Sequence, residues 1–102
     1  MGDRIKMKFG LTEETYQKIK EVINNYQEYT FKVFGSRARG DFKYNSDIDI
    51  AVEGEIGREK QIEIMNSFDM LDIPYMVDIV FVCELQKEEL IESIKKDGVI
   101  YE

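Results

Sequence analysis

The chain has 102 residues, enough for one compact domain with a modest core, and its 43% hydrophobic and 34% charged residues match an ordinary globular protein. Twenty-one acidic against 14 basic residues leave a net charge of −7, which argues against the basic face that an extended nucleic-acid interface needs. With no histidine and one cysteine, Cys83, the chain excludes Ser-His and Cys-His nucleophilic catalysis, His-ligated zinc and an intrachain disulfide.

The N-terminal "MGDRIKMKFG" lacks the apolar stretch of a secretory leader, and Gly2 lacks the downstream Ser/Thr of an acylation signal because Lys6 stands there. No apolar run approaches the ~18 residues of a membrane span. A single domain over residues 1–102, cytoplasmic and without a membrane partner, is therefore expected. Thr12 is a helix cap, with Glu13 and Glu14 suited to the positive first turn. Tyr16, Ile19, Val22, Ile23 and Tyr26 follow at helical spacing and predict a helix from Thr12 to Glu28. "TFKVF" (Thr30–Phe34) reads as a strand, and "SDIDIAVE" (Ser46–Glu53) alternates as a second. Ile62, Met65, Phe68 and Leu71 predict a helix over Arg58–Met70, and Pro74 leads into a third strand, Tyr75–Val82. The apolar run around Cys83 implies that its thiol is buried. A last helix is expected over Gln86–Lys96, with Lys95 and Lys96 in its final turn and Gly98 as a left-handed cap. "VIYE" suggests a short closing strand. The fold class is α/β (α+β): a small mixed sheet with helices packed on one face.

Strand parity then singles out the carboxylates. Alternate residues share a face, so Asp47 and Asp49 lie together, opposite Ile48, Ile50 and Val52. In the third strand Asp78 opposes Val77, Ile79 and Phe81. All three aspartates are thus free to project from the face that the helices leave uncovered. Neighbouring carboxylates repel and raise one another's pKa, a penalty that a hard divalent cation removes. Mg²⁺ typically takes one or two carboxylates plus substrate phosphates, and a third carboxylate allows two ions. An EF-hand is excluded, because Ala51 and Val52 stand where that loop needs a ligand and a glycine. From the pair alone, a sugar-transferring Asp-x-Asp and plain solvated aspartates both stay open.

Upstream, Gly35 and Ser36 end a strand in "FGSRARG", a turn whose amide groups suit phosphate, with Arg37 and Arg39 available for charge-assisted bonds. Gly35 and Gly40 have the spacing of a Walker A loop, but Asp41 and Phe42 replace its Lys and Ser/Thr. An ordinary turn with surface arginines is the alternative there.

Together, "GSRARGDFKYNSDIDI" and the Asp78 of "YMVDIVFV" resemble the DNA polymerase beta-like nucleotidyltransferases, and among them the minimal nucleotidyltransferases. The Gly-Ser, the Asp-x-Asp and the later Asp are all present, and "IKKDGVIYE" is similar to that family's ending. The resemblance implies the nucleotidyltransferase fold. It implies that Gly35 and Ser36 bind the β- and γ-phosphates, with Arg37 or Arg39 on the triphosphate or acceptor. It further implies that Asp47, Asp49 and Asp78 are the catalytic and metal-binding residues, holding two Mg²⁺ ions (or Mn²⁺) with ATP as substrate. Such proteins are commonly paired with a HEPN-domain toxin, so the resemblance implies a hetero-oligomeric, type VII-like antitoxin that transfers AMP to a toxin tyrosine. A non-catalytic binding antitoxin, or a nucleotidyltransferase acting on an aminoglycoside-like small molecule, are the alternatives.

Overall fold

A computed structural model describes residues 8–43 and 45–101; Gly2, Lys6, Tyr44 and Glu102 lie outside the described residues. A 3₁₀ turn at Lys8–Gly10 leads into α1 (Glu13–Asn24), β1 (Thr30–Phe34), the short α2 (Ser36–Arg39) and β2 (Ile48–Glu53). Then come α3 (Arg58–Asp69), β3 (Val77–Phe81), a second 3₁₀ turn at Val82–Glu84, α4 (Glu88–Asp97) and β4 (Val99–Ile100).

Thr12 caps α1 as expected, its hydroxyl accepting from the Thr15 amide at 3.3 Å. Replacing Thr12 with Ala should cost about 1 kcal/mol, read as a lower urea midpoint at unchanged slope. The helix stops at Asn24 rather than Glu28, because the Asn25 and Tyr26 amides turn to the tighter i−3 carbonyls of Val22 and Ile23. Tyr26 is still buried, its hydroxyl donating to Glu63 of α3 at 2.8 Å.

The sheet runs β3-β2-β1-β4, with β1 antiparallel to β2 and β4, and β2 parallel to β3. Its one face carries Phe31 and Val33 of β1, Ile48, Ile50 and Val52 of β2, and Phe81 of β3, all in the main core with Ile19, Val22, Ile64 and Phe68 of α1 and α3. Each fully buried aliphatic side chain of this kind contributes about 1.5–3 kcal/mol. Val33, Ile48 and Ile50 are completely shielded, so the backbone beneath the acidic residues is firmly anchored in the core.

The mixed sheet with helices on one face describes α1 and α3. Helix α4 goes to the other face, where Ile94 packs with Phe34 and Ala51, supported by Val80, Leu85 and Leu90. Four local expectations are corrected. On α3 the buried positions are Gln61, Ile64 and Phe68, while Ile62 and Met65 are about half exposed. Cys83 is exposed, because the chain leaves the sheet at Phe81 and enters a 3₁₀ turn that sends Val82 and Leu85 inward. Gly98 is extended (φ −64°, ψ 134°) rather than left-handed; any Cβ there would collide with the Ile94 carbonyl oxygen, so space rather than φ calls for glycine. The acidic strand begins at Ile48, which leaves Ser46 and Asp47 in the segment before it.

The expected closing strand forms as β4 and pairs with β1, Ile100 opposite Lys32 and Val99 opposite Val33. Tyr101 then closes the fold. Its ring stacks on Tyr16 at 4.5 Å and its buried hydroxyl donates to the Tyr16 carbonyl at 2.9 Å.

Candidate active site

The register of the three central strands assembles the acidic residues. Asp49 lies opposite Phe34 of β1 on one side and level with Asp78 of β3 on the other. Asp49 and Asp78 are therefore lateral neighbours on strands about 4.8 Å apart, on the face opposite the main core. The entries of the two strands are tied, since the Ile48 amide donates to the Met76 carbonyl at 2.9 Å. Asp47 is exposed and precedes β2, because Ser46 is held in a turn: its amide donates to the Lys43 carbonyl and its hydroxyl accepts from the Lys43 amide at 2.8 Å.

Charge is concentrated at Asp49. Its carboxyl is pushed above the ordinary range by partial burial first, then by the neighbouring carboxylates of Asp78 and Asp47. These are the causes that a bound cation would offset. The Gly-Ser turn lies against the same group. Gly35 has φ +75° and ψ −154°, a conformation essentially reserved for glycine, and a Cβ there would stand 2.6 Å from Asp49 Oδ2. The turn and the acidic strand are thus in contact through an absent side chain. Ser36 begins α2, the Gly35 carbonyl accepts from the Ala38 and Arg39 amides, and Gly40 closes the helix in a left-handed cap.

The two arginines separate in role. Arg39 is exposed and pairs with Asp41 at 3.2 Å and Asp97 at 3.5 Å. Arg37, expected beside it as a phosphate contact, is instead 3% exposed and directed at backbone. Its Nε and Nη2 donate to the Ser46 carbonyl at 3.1 and 2.9 Å, and its Nη1 donates to the Phe9 carbonyl at 2.9 Å. Phe42 and Tyr75 both stack on its guanidinium at 4.8 Å. Sequence reasoning missed this surrounding set, because Phe9 and Tyr75 are far from Arg37 in the chain. The cue that was present is the aromatic in "PYM", just before the strand of Asp78.

The donor set is made of carboxylate oxygens, with glycine making room beside the most buried of them, and this suits a hard divalent cation. Among the described residues, no three acidic side chains form a preassembled metal cluster. A cleft of about 340 Å³ adjoins Asp47, lined by Asn45, Pro74, Tyr75 and Met76.

Residues 17–102 match the family described as "Polymerase beta, Nucleotidyltransferase". The chain belongs to that family. The matched segment holds every acidic, Gly-Ser and arginine position considered above. A Methanocaldococcus jannaschii protein, MJ1215, provisionally named a protein adenylyltransferase, is 42% identical over 53 residues, which span 52% of this chain and 62% of that relative. The chain thus covers less than two thirds of that relative's length. A solved chain from a crystal structure of a toxin-antitoxin with AMP-PNP superposes with a TM-score of 0.63 at 24% identity, covering 85% of this chain and 72% of its own. At that identity the likeness concerns the nucleotidyltransferase fold. A Sulfolobus solfataricus protein, provisionally named a nucleotidyltransferase, gives a TM-score of 0.51 at 26% identity, covering 83% of this chain and 77% of its own. Among the described residues, no helix is long and apolar enough to cross a membrane.

Proposed function

We propose that this polymerase beta-type domain is an Mg²⁺-dependent nucleotidyltransferase that moves AMP from ATP to a tyrosine of a HEPN-domain toxin, and so acts as an antitoxin. The observation that carries the reading is the register of Asp49 with Asp78, closed on its other side by Gly35. Family membership and the adenylyltransferase name of the archaeal relative support nucleotidyl transfer. The toxin-antitoxin neighbour supports a protein partner.

In the reaction, the acceptor hydroxyl oxygen forms a bond to the α-phosphorus of ATP, the α–β phosphoanhydride breaks, and pyrophosphate departs. Asp47 and Asp49 would hold a divalent ion, Mg²⁺ or Mn²⁺, with Asp78 completing a second position. Bound metal supplies positive charge to the phosphate oxygens. Asp78, exposed on the outermost strand, would orient the acceptor hydroxyl and receive its proton. The Gly35–Ser36 turn would receive the β- and γ-phosphates. Arg39 is then the cation that exchanges surface carboxylates for phosphate. Replacing Arg39 with Ala should raise the KM for ATP about tenfold or more and leave the melting temperature in place, since both its ion pairs are at the surface.

The direct test is incubation with Mg²⁺, α-labelled ATP and the product of the neighbouring gene as candidate toxin. Label is expected on a toxin tyrosine and is expected to vanish with EDTA. Transfer absent from the parent protein would overturn the catalytic reading. The toxin-antitoxin neighbour equally suits a second reading, in which neutralisation rests on binding alone. An Asp47→Asn/Asp49→Asn protein that still neutralises the toxin fully would decide for it.

A further inference from the structure

The geometry points to Arg37 as the positioning residue of this site: a buried guanidinium that holds the Asp47 segment against the Gly-Ser turn and the entry to β3. The inference rests on the nucleotidyl-transfer reading for its catalytic consequence, though not for its structural one.

Arg37 stands next to Ser36 in the chain, so whatever fixes its side chain fixes the turn as well. Nε and Nη2 converge on the Ser46 carbonyl, which belongs to the peptide leading directly into Asp47. Nη1 reaches the Phe9 carbonyl in the N-terminal 3₁₀ turn. Phe42, in the segment between the turn and Asp47, and Tyr75, two residues before β3, each place a ring 4.8 Å from the guanidinium carbon. Four stretches that are separate in sequence therefore meet on one side chain. Three of them lead to Ser36, Asp47 or Asp78.

Two further details fit. Gly10 has φ +73°, and a Cβ there would strike the Phe42 ring and approach Arg37 Nη1 at 3.0 Å. The N-terminal turn is thus shaped to admit the stack. The Ile48 amide bonds the Met76 carbonyl, so the Asp47 and Tyr75 segments held by Arg37 are also joined to each other. Lysine is no substitute in such a place. It lacks the planar fork that addresses two carbonyls at once and the flat face that stacks between rings. Asp47 lies outside the strand ladder and has no β-sheet hydrogen bonds of its own to hold it. Its placement relative to Asp49 depends on the Lys43–Ser46 turn and on this guanidinium. Misplacement by about 1 Å costs on the order of 100-fold in a positioned reaction.

The test is Arg37→Lys, followed by amide hydrogen exchange without nucleotide or metal and by steady-state transfer. The Ser46 and Ile48 amides should exchange about tenfold faster or more, while those of Val33 and Ile50 keep their protection. In transfer, kcat should fall about 100-fold with the KM for ATP unchanged. Unchanged exchange at Ser46 and Ile48 would overturn the inference, and so would a raised KM at unchanged kcat, which marks a direct phosphate contact. If the parent protein transfers nothing, exchange alone decides, so the two readings fail separately. If Arg37→Lys does not fold, Phe42→Leu and Tyr75→Leu remove the stacking and keep the donors. Each should then speed exchange of the same two amides, and normal protection in both variants would refute the assignment.

Discussion

An Asp49→Asn protein is expected to lose nucleotidyl transfer by about 10²–10⁴-fold, the several kcal/mol of transition-state stabilisation that a metal-borne charge supplies. It is also expected to be at least as stable as the parent at neutral pH when no metal is present. Both follow from the position of Asp49, half-buried on β2 between Gly35 and Asp78. Burial, Asp78 and Asp47 all raise its pKa, so the folded state binds its proton more tightly than the unfolded chain does. Its contribution therefore favours folding at pH below the ordinary carboxylate value of about 3.9. That contribution is lost as the pH rises through the raised folded value, because the unfolded chain releases the proton more readily. The parent's melting temperature, measured in EDTA, should fall relative to the variant's across this window. Added Mg²⁺ should restore the parent and leave the variant nearly unaffected, since a ligand bound to the folded state alone stabilises it by mass action. A variant less stable than the parent at pH 7 in EDTA would show that Asp49 is a structural group.

Gly35→Ala should damage stability and transfer together. The conformation at Gly35 costs a residue with a Cβ about 1–3 kcal/mol. The new methyl would also lie 2.6 Å from Asp49 Oδ2, inside van der Waals contact, so the carboxylate must move. Stability and transfer should fall together, transfer approaching the level of Asp49→Asn. The two contributions are separable. In an Asp49→Ala background the collision is gone and only the backbone strain remains, so a double-mutant cycle should show coupling between the positions. Strict additivity in urea midpoints would show that the turn does not press on Asp49.

Much of this site was legible because it follows from periodicity. Strand parity put Asp49 on the face opposite Ile48 and Ile50, and did the same for Asp78, whatever the neighbouring strand was to be. The Gly-Ser turn was readable because glycine after an apolar strand signals close approach, and here it is a carboxylate that approaches. What periodicity does not carry is the choice between two faces of one sheet. Leu90 and Ile94 announce an apolar stripe on α4, but the patch that receives it is made by Phe34, Ala51 and Val80 from three other elements. The surroundings of Arg37 were hidden for a related reason. An arginine beside a phosphate-type turn is ambiguous until Phe42, Ser46 and Tyr75 are known to surround it, and these meet only through tertiary contacts. Cys83 followed the apolar run past the true strand end, since Val82 and Leu85 are apolar for the sake of α4 rather than of the sheet.

The parallel pairing of β2 with β3 has a consequence for the order in which the molecule is built. A hairpin such as β1–β2 closes locally, but parallel strands cannot be joined by a tight turn and must wait for a crossover, here α3 with its flanking loops. The loop-closure entropy of that crossover is spent before the pairing returns anything. Asp49 and Asp78 thus stay apart in any intermediate that holds only the hairpin. Their mutual repulsion, and with it any affinity for a divalent cation, comes into being only when β3 docks. Stopped-flow refolding followed by a Mn²⁺-sensitive signal should then lag behind the recovery of secondary structure. Metal binding would then serve as a clock for the docking of β3 on β2.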